Sequence, residues 1–113
     1  MTVEAVAQKL DFTLLAGKSG IGREIESGYV CDLLSWAMSR AQAGTAWITI
    51  QTHINVIAVA SLTDMACVIV PEDAAVDPGA LDKAEEEGIP VLSSKLTAYE
   101  LCVKLSELGI ATA

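Results

Sequence analysis

The feature that most constrains the fold is a series of three strand–helix units in the second half of the chain. Its strands are continuously apolar instead of alternating, a pattern typical of strands that are buried on both faces. The apolar runs are Ala46–Ile50, Ala66–Val70 and Ile89–Leu92. Repeated units of this kind predict a single α/β domain over residues 1–113, with a mainly parallel sheet covered by helices. In that sheet, Trp47, Val68 and Val91 are expected to lie side by side.

The start of the chain predicts a helix, a strand and a loop ahead of this series. Thr2 is expected to cap a short helix, and Phe12–Ala16 is expected to form a strand. Three glycines between Gly17 and Gly22 predict a turn with positive φ values. We interpret Arg23–Val30 as a short extended segment.

Capping residues predict where the later helices begin and end. One helix is marked by the spaced apolar residues of Ile54–Leu62, and either Thr52 or His53 is expected to cap it. Asp32 is expected to begin one further helix and Gly44 to end it. A second is expected to begin at Asp77 with Pro78 and to end at Gly88, and the last to begin at Thr97 with Glu100 and to end at Gly109.

The charge balance excludes two classes of partner. Seven basic and 15 acidic residues give a net charge of −8, which is unsuited to binding nucleic acid or an anionic membrane surface. We interpret the acidic run Glu85–Glu87 as a solvated helix end. Hydrophobic residues make up 52% of the chain, which excludes disorder and leaves apolar material for a subunit interface.

The cysteines and the start of the chain indicate a cytoplasmic protein. Met1–Glu4 shows no secretion signal, and the apolar runs are too short to span a bilayer. Cys31, Cys67 and Cys102 form no Cys-x-x-Cys pair, and we interpret them as reduced, mostly buried thiols. With one histidine and no dinucleotide-binding glycine pattern, neither a metal nor a cofactor is expected.

The run Gly17-Lys18-Ser19 follows a predicted strand and invites comparison with a phosphate-binding loop. Such a loop needs a further glycine five positions earlier, so that consecutive backbone N–H groups can surround the phosphates. Phe12 stands there, and no amphipathic helix follows. We therefore interpret Lys18 and Ser19 as ordinary turn residues, and ATP-dependent phosphorylation by this chain is not expected.

The candidate ligand site is the polar segment between the first strand of the series and its helix. It contains Gln51, Thr52, His53 and Asn55. Ligands of open α/β sheets bind at the carboxyl ends of strands, where helix N-termini favour anions. A nucleotide or a sugar phosphate would suit this position. The alternative is a polar turn with a solvated histidine, and a third hypothesis makes His53 the acid or base of an enzyme.

Asp32 and Ser35 are possible neighbours of this site, although helix capping explains them as well. Cys31 is a poor candidate nucleophile, because the adjacent carboxylate disfavours the thiolate. Trp36 and Trp47 are interpreted as anchors in the core or in an interface. No serine–histidine–aspartate set is indicated, so no catalytic residue is predicted.

Several stretches of the chain resemble a known family. They are Gly28–Ser35, Trp47–His53, Gly88–Leu92 and Thr97–Glu100, and Leu10–Arg23 fits an opening strand with a glycine-bearing loop. Together they resemble the DRTGG domain, which is similar to the N-terminal domain of HPr kinase/phosphorylase. The resemblance implies a regulatory or dimerising module. Short stand-alone versions are labelled HPr-kinase-like or serine kinase but have no kinase domain.

The residues that name the family are replaced in this chain. An Asp-Arg pair is expected after the strand that ends near Ile50, where Gln51-Thr52-His53 stands instead. A Thr-Gly-Gly is expected after the next strand, where Pro71-Glu72-Asp73 stands. Both replaced stretches fall at the same edge of the predicted sheet.

These observations favour a non-catalytic, ligand-sensing regulatory module that acts as a homodimer, with a small anion as ligand. The alternative is an adaptor that binds an enzyme of energy or carbohydrate metabolism. A His53-dependent enzyme is the third hypothesis, and it needs a second polar group that converges on His53.

Overall fold

Five strands form one sheet through the middle of the protein. In the computed structural model, which describes residues 1–113, they are β1 (Thr13–Ala16), β2 (Ser27–Val30), β3 (Thr45–Ile48), β4 (Cys67–Val70) and β5 (Val91–Ser93). Their order across the sheet is β1-β5-β4-β3-β2. The four strands β2 to β5 are parallel, and β1 pairs antiparallel with β5. The predicted single α/β domain with a mainly parallel sheet is confirmed.

The register of the sheet explains why its strands are continuously apolar. Trp47 pairs with Val68, and Val68 pairs with Val91, as predicted. These three side chains belong to one buried cluster, whereas the next residue on each strand belongs to a second cluster on the opposite face. Residues of the second cluster include Ile48, Ile69 and Leu92. Alternate side chains of a strand point to opposite faces, so both faces need apolar residues.

Five α-helices cover the two faces of the sheet. They are α1 (Val3–Leu10), α2 (Leu34–Arg40), α3 (Ile54–Leu62), α4 (Pro78–Glu87) and α5 (Ala98–Glu107). Buried residues of α2, α3 and α4 join the cluster around Trp47, and those of α1 and α5 join the cluster around Ile48. None of these helices has the length and apolar character that crossing a bilayer requires.

Several helix ends form as the caps predict. Thr2 Oγ1 accepts a hydrogen bond from the Ala5 N–H at 3.1 Å and begins α1. Thr97 and Glu100 form the capping box of α5, in which each side chain accepts from the other residue's backbone N–H. Pro78 is the first residue of α4, and Gly88 ends it.

The start of α2 differs from the prediction. Leu33, and not Asp32, occupies the N-cap position, and no side chain caps the helix. The Asp32 carboxylate instead accepts hydrogen bonds from the loop after β3. The helix also ends at Arg40, before Gly44, which lies in the turn that leads into β3.

Two further details of the sequence interpretation were only partly right. Of the glycines in the loop after β1, only Gly17 has a positive φ. Only Cys67 is a fully buried thiol, and burial raises its pKa to about 12, whereas Cys102 is exposed.

Candidate functional site

The carboxyl ends of four parallel strands meet at one edge of the sheet. The loops that follow them carry Asp32 after β2, Gln51 to His53 after β3, Glu72 and Asp73 after β4, and Lys95 after β5. Because β1 runs antiparallel to β5, the residues that precede β1 reach the same edge. The edge therefore combines polar side chains from five parts of the chain.

The predicted site after β3 is formed mainly by helix capping. His53 is the N-cap of α3, and its Nδ1 accepts a hydrogen bond from the Asn55 N–H at 3.2 Å. The Gln51 N–H donates to Thr49 Oγ1 at 3.1 Å. Gln51, Thr52 and His53 border a cavity of about 10 Å³ that is otherwise lined by apolar side chains. This volume is at the lower limit for one water molecule, so a ligand at this helix end would lie on the surface.

The capping role of His53 bears on the hypothesis of a histidine enzyme. Its Nδ1 lone pair is occupied by the Asn55 N–H, so this nitrogen is not free to accept a proton from a substrate. The hydrogen bond also assigns the remaining ring proton to Nε2 when the ring is neutral.

Asp32 lies at a different place along the edge. Its Oδ1 accepts from Thr49 Oγ1 at 2.8 Å and from the Ile50 N–H at 2.9 Å, which ties the end of β2 to the end of β3. It lines a crevice of about 190 Å³ that also includes Thr49, Ile50 and Glu72. Ser35 is exposed on the first turn of α2. The structure thus brings neither Asp32 nor Ser35 into the cavity beside His53.

Replacement of Asp32 by alanine is expected to destabilise the protein by about 1–3 kcal/mol, because the buried Thr49 hydroxyl loses its acceptor. Asp32→Asn keeps an accepting oxygen and is expected to lose less. Asp82→Ala removes an exposed α4 carboxylate that makes no hydrogen bond and serves as the control. Urea unfolding measures all three variants, and equal stability of the two alanine variants would contradict this role of Asp32.

The Gly17-Lys18-Ser19 loop is built as a tight turn. Lys18–Gly20 forms one turn of 3₁₀-helix. The Gly17 N–H donates to Glu85 Oε1 at 2.8 Å, so a carboxylate of α4 occupies the amide that a phosphate loop would offer to its ligand. The prediction that Glu85–Glu87 is a purely solvated helix end was therefore incomplete.

A second polar cleft, which the sequence interpretation missed, lies where β1 meets β5. It has a volume of about 540 Å³, and three lysines line it: Lys9 at the end of α1, Lys95 after β5 and Lys104 on α5. We call it the lysine cleft. Its residues come from distant parts of the chain, so no local motif marks it. The antiparallel placement of β1 brings the residues from the start of the chain to those that follow β5.

A charge-poor surface lies on the helices that follow β2 and β3. Between Leu33 and Thr63, Arg40 is the only residue with a formal charge when His53 is neutral. The helices α2 and α3 in this segment pack against each other. They expose large apolar side chains, which define the α2–α3 face: Leu33, Trp36, Met38, Ile54 and Leu62.

Comparisons with known proteins concern the fold. No family model and no curated protein matches the chain. A solved structure of the CBS and DRTGG domains of the regulatory region of Clostridium perfringens pyrophosphatase, complexed with the activator diadenosine tetraphosphate, matches with a TM-score of 0.71 at 10% identity. The match covers 92% of this chain and 45% of the other, so this chain spans less than half of its length. The protein therefore has a DRTGG-like fold, in agreement with the family resemblance of its sequence.

Proposed function

We propose that this protein is a non-catalytic regulatory module that acts as a homodimer and senses a small phosphorylated ligand at the carboxyl edge of its sheet. The shared fold supports the regulatory role, because the matching structure is the regulatory region of an enzyme, solved in complex with a nucleotide activator. Two contacts at opposite ends of the sheet support the absence of catalysis. His53 caps a helix, and Glu85 occupies the Gly17 amide.

The observation that carries the proposal is the α2–α3 face. Leu33 is 60% exposed and Trp36 is 48% exposed on this face. Clusters of exposed apolar side chains mark interaction surfaces. Interface cores are depleted of charged residues and enriched in tryptophan, methionine and arginine, as this face is.

A second copy of the chain suits this face for an electrostatic reason. Two copies with a charge of −8 each repel one another over most of their surfaces. The α2–α3 face has no carboxylate, so contact there brings the fewest like charges together. The Arg40 guanidinium lies 3.9 Å from the centre of the Trp36 ring, which orders both side chains before association.

The test is the mass of the protein in solution, measured by size-exclusion chromatography with light scattering. Wild type at micromolar concentration is expected to have twice the 11.8 kDa mass of the chain. Trp36→Glu places a charge in the face and is expected to give a monomer with an unchanged circular dichroism spectrum. Tyr99→Glu alters a still more exposed aromatic residue on α5 and is expected to remain a dimer.

A monomeric wild type, or a Trp36→Glu variant that remains dimeric, would contradict the homodimer. The α2–α3 face of a monomeric wild type would then be assigned to a different protein, as in the adaptor hypothesis.

A further inference from the structure

We propose that the lysine cleft binds a small metabolite that carries both phosphate and hydroxyl groups, such as a phosphorylated sugar. The proposal rests on the proposed sensing function and names its site and its class of ligand. It places the ligand between β1 and β5, away from the His53 segment that the sequence indicated.

The cleft concentrates positive charge in an acidic protein. It holds three of the seven basic side chains, whereas 15 acidic residues are distributed over the chain. Lys9 and Lys95 form no ion pair within 4.0 Å, and Lys104 has only a 3.8 Å contact with Glu107. The three ammonium groups stand against the carboxylates of Asp11 and Asp73, which leaves an excess of one positive charge in the lining of the cleft. This excess attracts an anionic ligand, and a phosphate between the ammonium groups would relieve their mutual repulsion.

The remaining polar groups distinguish between classes of anion. Asp11 and Asp73 also line the cleft, and their carboxylates repel a bare phosphate but accept hydrogen bonds from hydroxyl groups. Thr13, Ser93 and Ser94 add hydroxyl groups that can donate or accept. A ligand that combines phosphate with several hydroxyl groups satisfies both the lysines and the carboxylates.

The apolar part of the lining disfavours a nucleotide. Leu10 and Leu96 are the only hydrophobic residues of the cleft, and it contains no aromatic side chain on which a base could stack. Its volume of about 540 Å³ is within the range of small-molecule sites. We therefore assign the cleft to a polar metabolite without a base.

The backbone around Lys95 leaves a donor for the ligand. The Leu96 N–H donates to Ser94 Oγ at 3.1 Å, and the Ser94 N–H donates to the Val70 oxygen. The Lys95 N–H between them donates to no acceptor within the chain. One amide and one ammonium group of the same residue are thus available at the carboxyl end of β5, where α/β sheets place their ligands.

Isothermal titration calorimetry with the full chain tests the proposal, with fructose bisphosphate, fructose and ATP as probes. Fructose bisphosphate is expected to bind, fructose is not, and ATP is expected to bind more weakly than the phosphosugar. The double variant Lys9→Gln/Lys95→Gln is expected to lose about tenfold or more in affinity for fructose bisphosphate, because two charge-assisted contacts are removed. Lys18→Gln removes one positive charge at the opposite end of β1, outside the cleft, and is expected to bind as wild type does.

The outcomes separate this proposal from the proposed function. If ATP or fructose bisphosphate binds and the double variant keeps the affinity, the cleft assignment is wrong while ligand sensing stands. Tighter binding of ATP than of the phosphosugar contradicts the assigned ligand class. If none of the probes binds wild type, the cleft assignment and ligand sensing both fail, and the homodimer is judged by its own test.

Discussion

Gly17→Ala is expected to lower the free energy of unfolding by about 2–5 kcal/mol, a large part of the stability of a domain of this size. Gly17 has a φ of +81°, a conformation that costs an L-residue with a side chain roughly 1–2 kcal/mol. A Cβ at this position would also overlap the carbonyl oxygen of Ile89, which belongs to the backbone and cannot move aside. The overlap adds an overpacking cost of about 1–3 kcal/mol.

Gly22→Ala is the matched control for this prediction. Gly22 is in the same loop, its φ is not positive, and a Cβ there would meet no atom within 4 Å. Its replacement is expected to change stability by less than about 0.5 kcal/mol. Thermal and urea unfolding of both variants provides the comparison. Similar stabilities would show that the loop does not need its glycine for close packing against the chain ahead of β5.

Trp47→Ala is expected to cost about 3–5 kcal/mol, the range for removal of a large aromatic side chain from a core. Trp47 is fully buried among the side chains of the cluster that α2, α3 and α4 cover. Its indole N–H donates to the Cys31 oxygen at 2.8 Å and so connects β3 to the end of β2. Removal of the ring leaves both a cavity and an unpaired carbonyl.

Trp36→Ala provides the comparison, because Trp36 is the second of only two tryptophans and is half exposed. Its loss is expected to cost less than about 1 kcal/mol when measured at concentrations where the chain is monomeric. Each variant retains one tryptophan, so its fluorescence reports on the surroundings of that remaining tryptophan. Trp36→Ala should show the blue-shifted emission of a buried indole that shifts to the red on unfolding. Equal losses of stability in the two variants would contradict the burial of Trp47.

The sheet was predictable because its strands are defined by local composition. A strand buried on both faces must be apolar at every position, and β3, β4 and β5 show this directly in the sequence. The capping box of α5 was predictable for a similar reason, since Thr97 and Glu100 form it within one turn. In both cases, the residues that determine the structure lie next to one another in the chain.

The errors arose where a side chain forms its hydrogen bond with a residue far away in the sequence and not with a near neighbour. Asp32 stands where a helix cap is expected, but its carboxylate binds Thr49 and Ile50, which are 17 and 18 residues away. Glu85 stands in an acidic run and binds the Gly17 amide across 68 residues. Residue type shows that such groups can accept a hydrogen bond, but only the fold determines which donor is nearest.

The two candidate sites differ in the same way, because the residues of one are contiguous in the sequence and those of the other are not. The segment from Gln51 to Asn55 is continuous and was recognisable as a strand-to-helix junction, and the structure confirms His53 as the cap. Its role in ligand binding stays a prediction. The lysine cleft combines Lys9, Lys95 and Lys104, and it depends on β1 running against the direction of the other strands. That direction has no signature within β1 itself.

The reversed direction of β1 also brings a continuous segment at the start of the chain into the lysine cleft. The parallel strands β2 to β4 contribute no residue to the cleft, whereas the first 13 residues contribute Lys9, Asp11 and Thr13. A coding change confined to the beginning of the chain can therefore alter the chemistry of the cleft and leave the central strands intact. Chimeras that exchange α1 and the start of β1 between related proteins offer a direct way to redesign ligand preference on a constant scaffold.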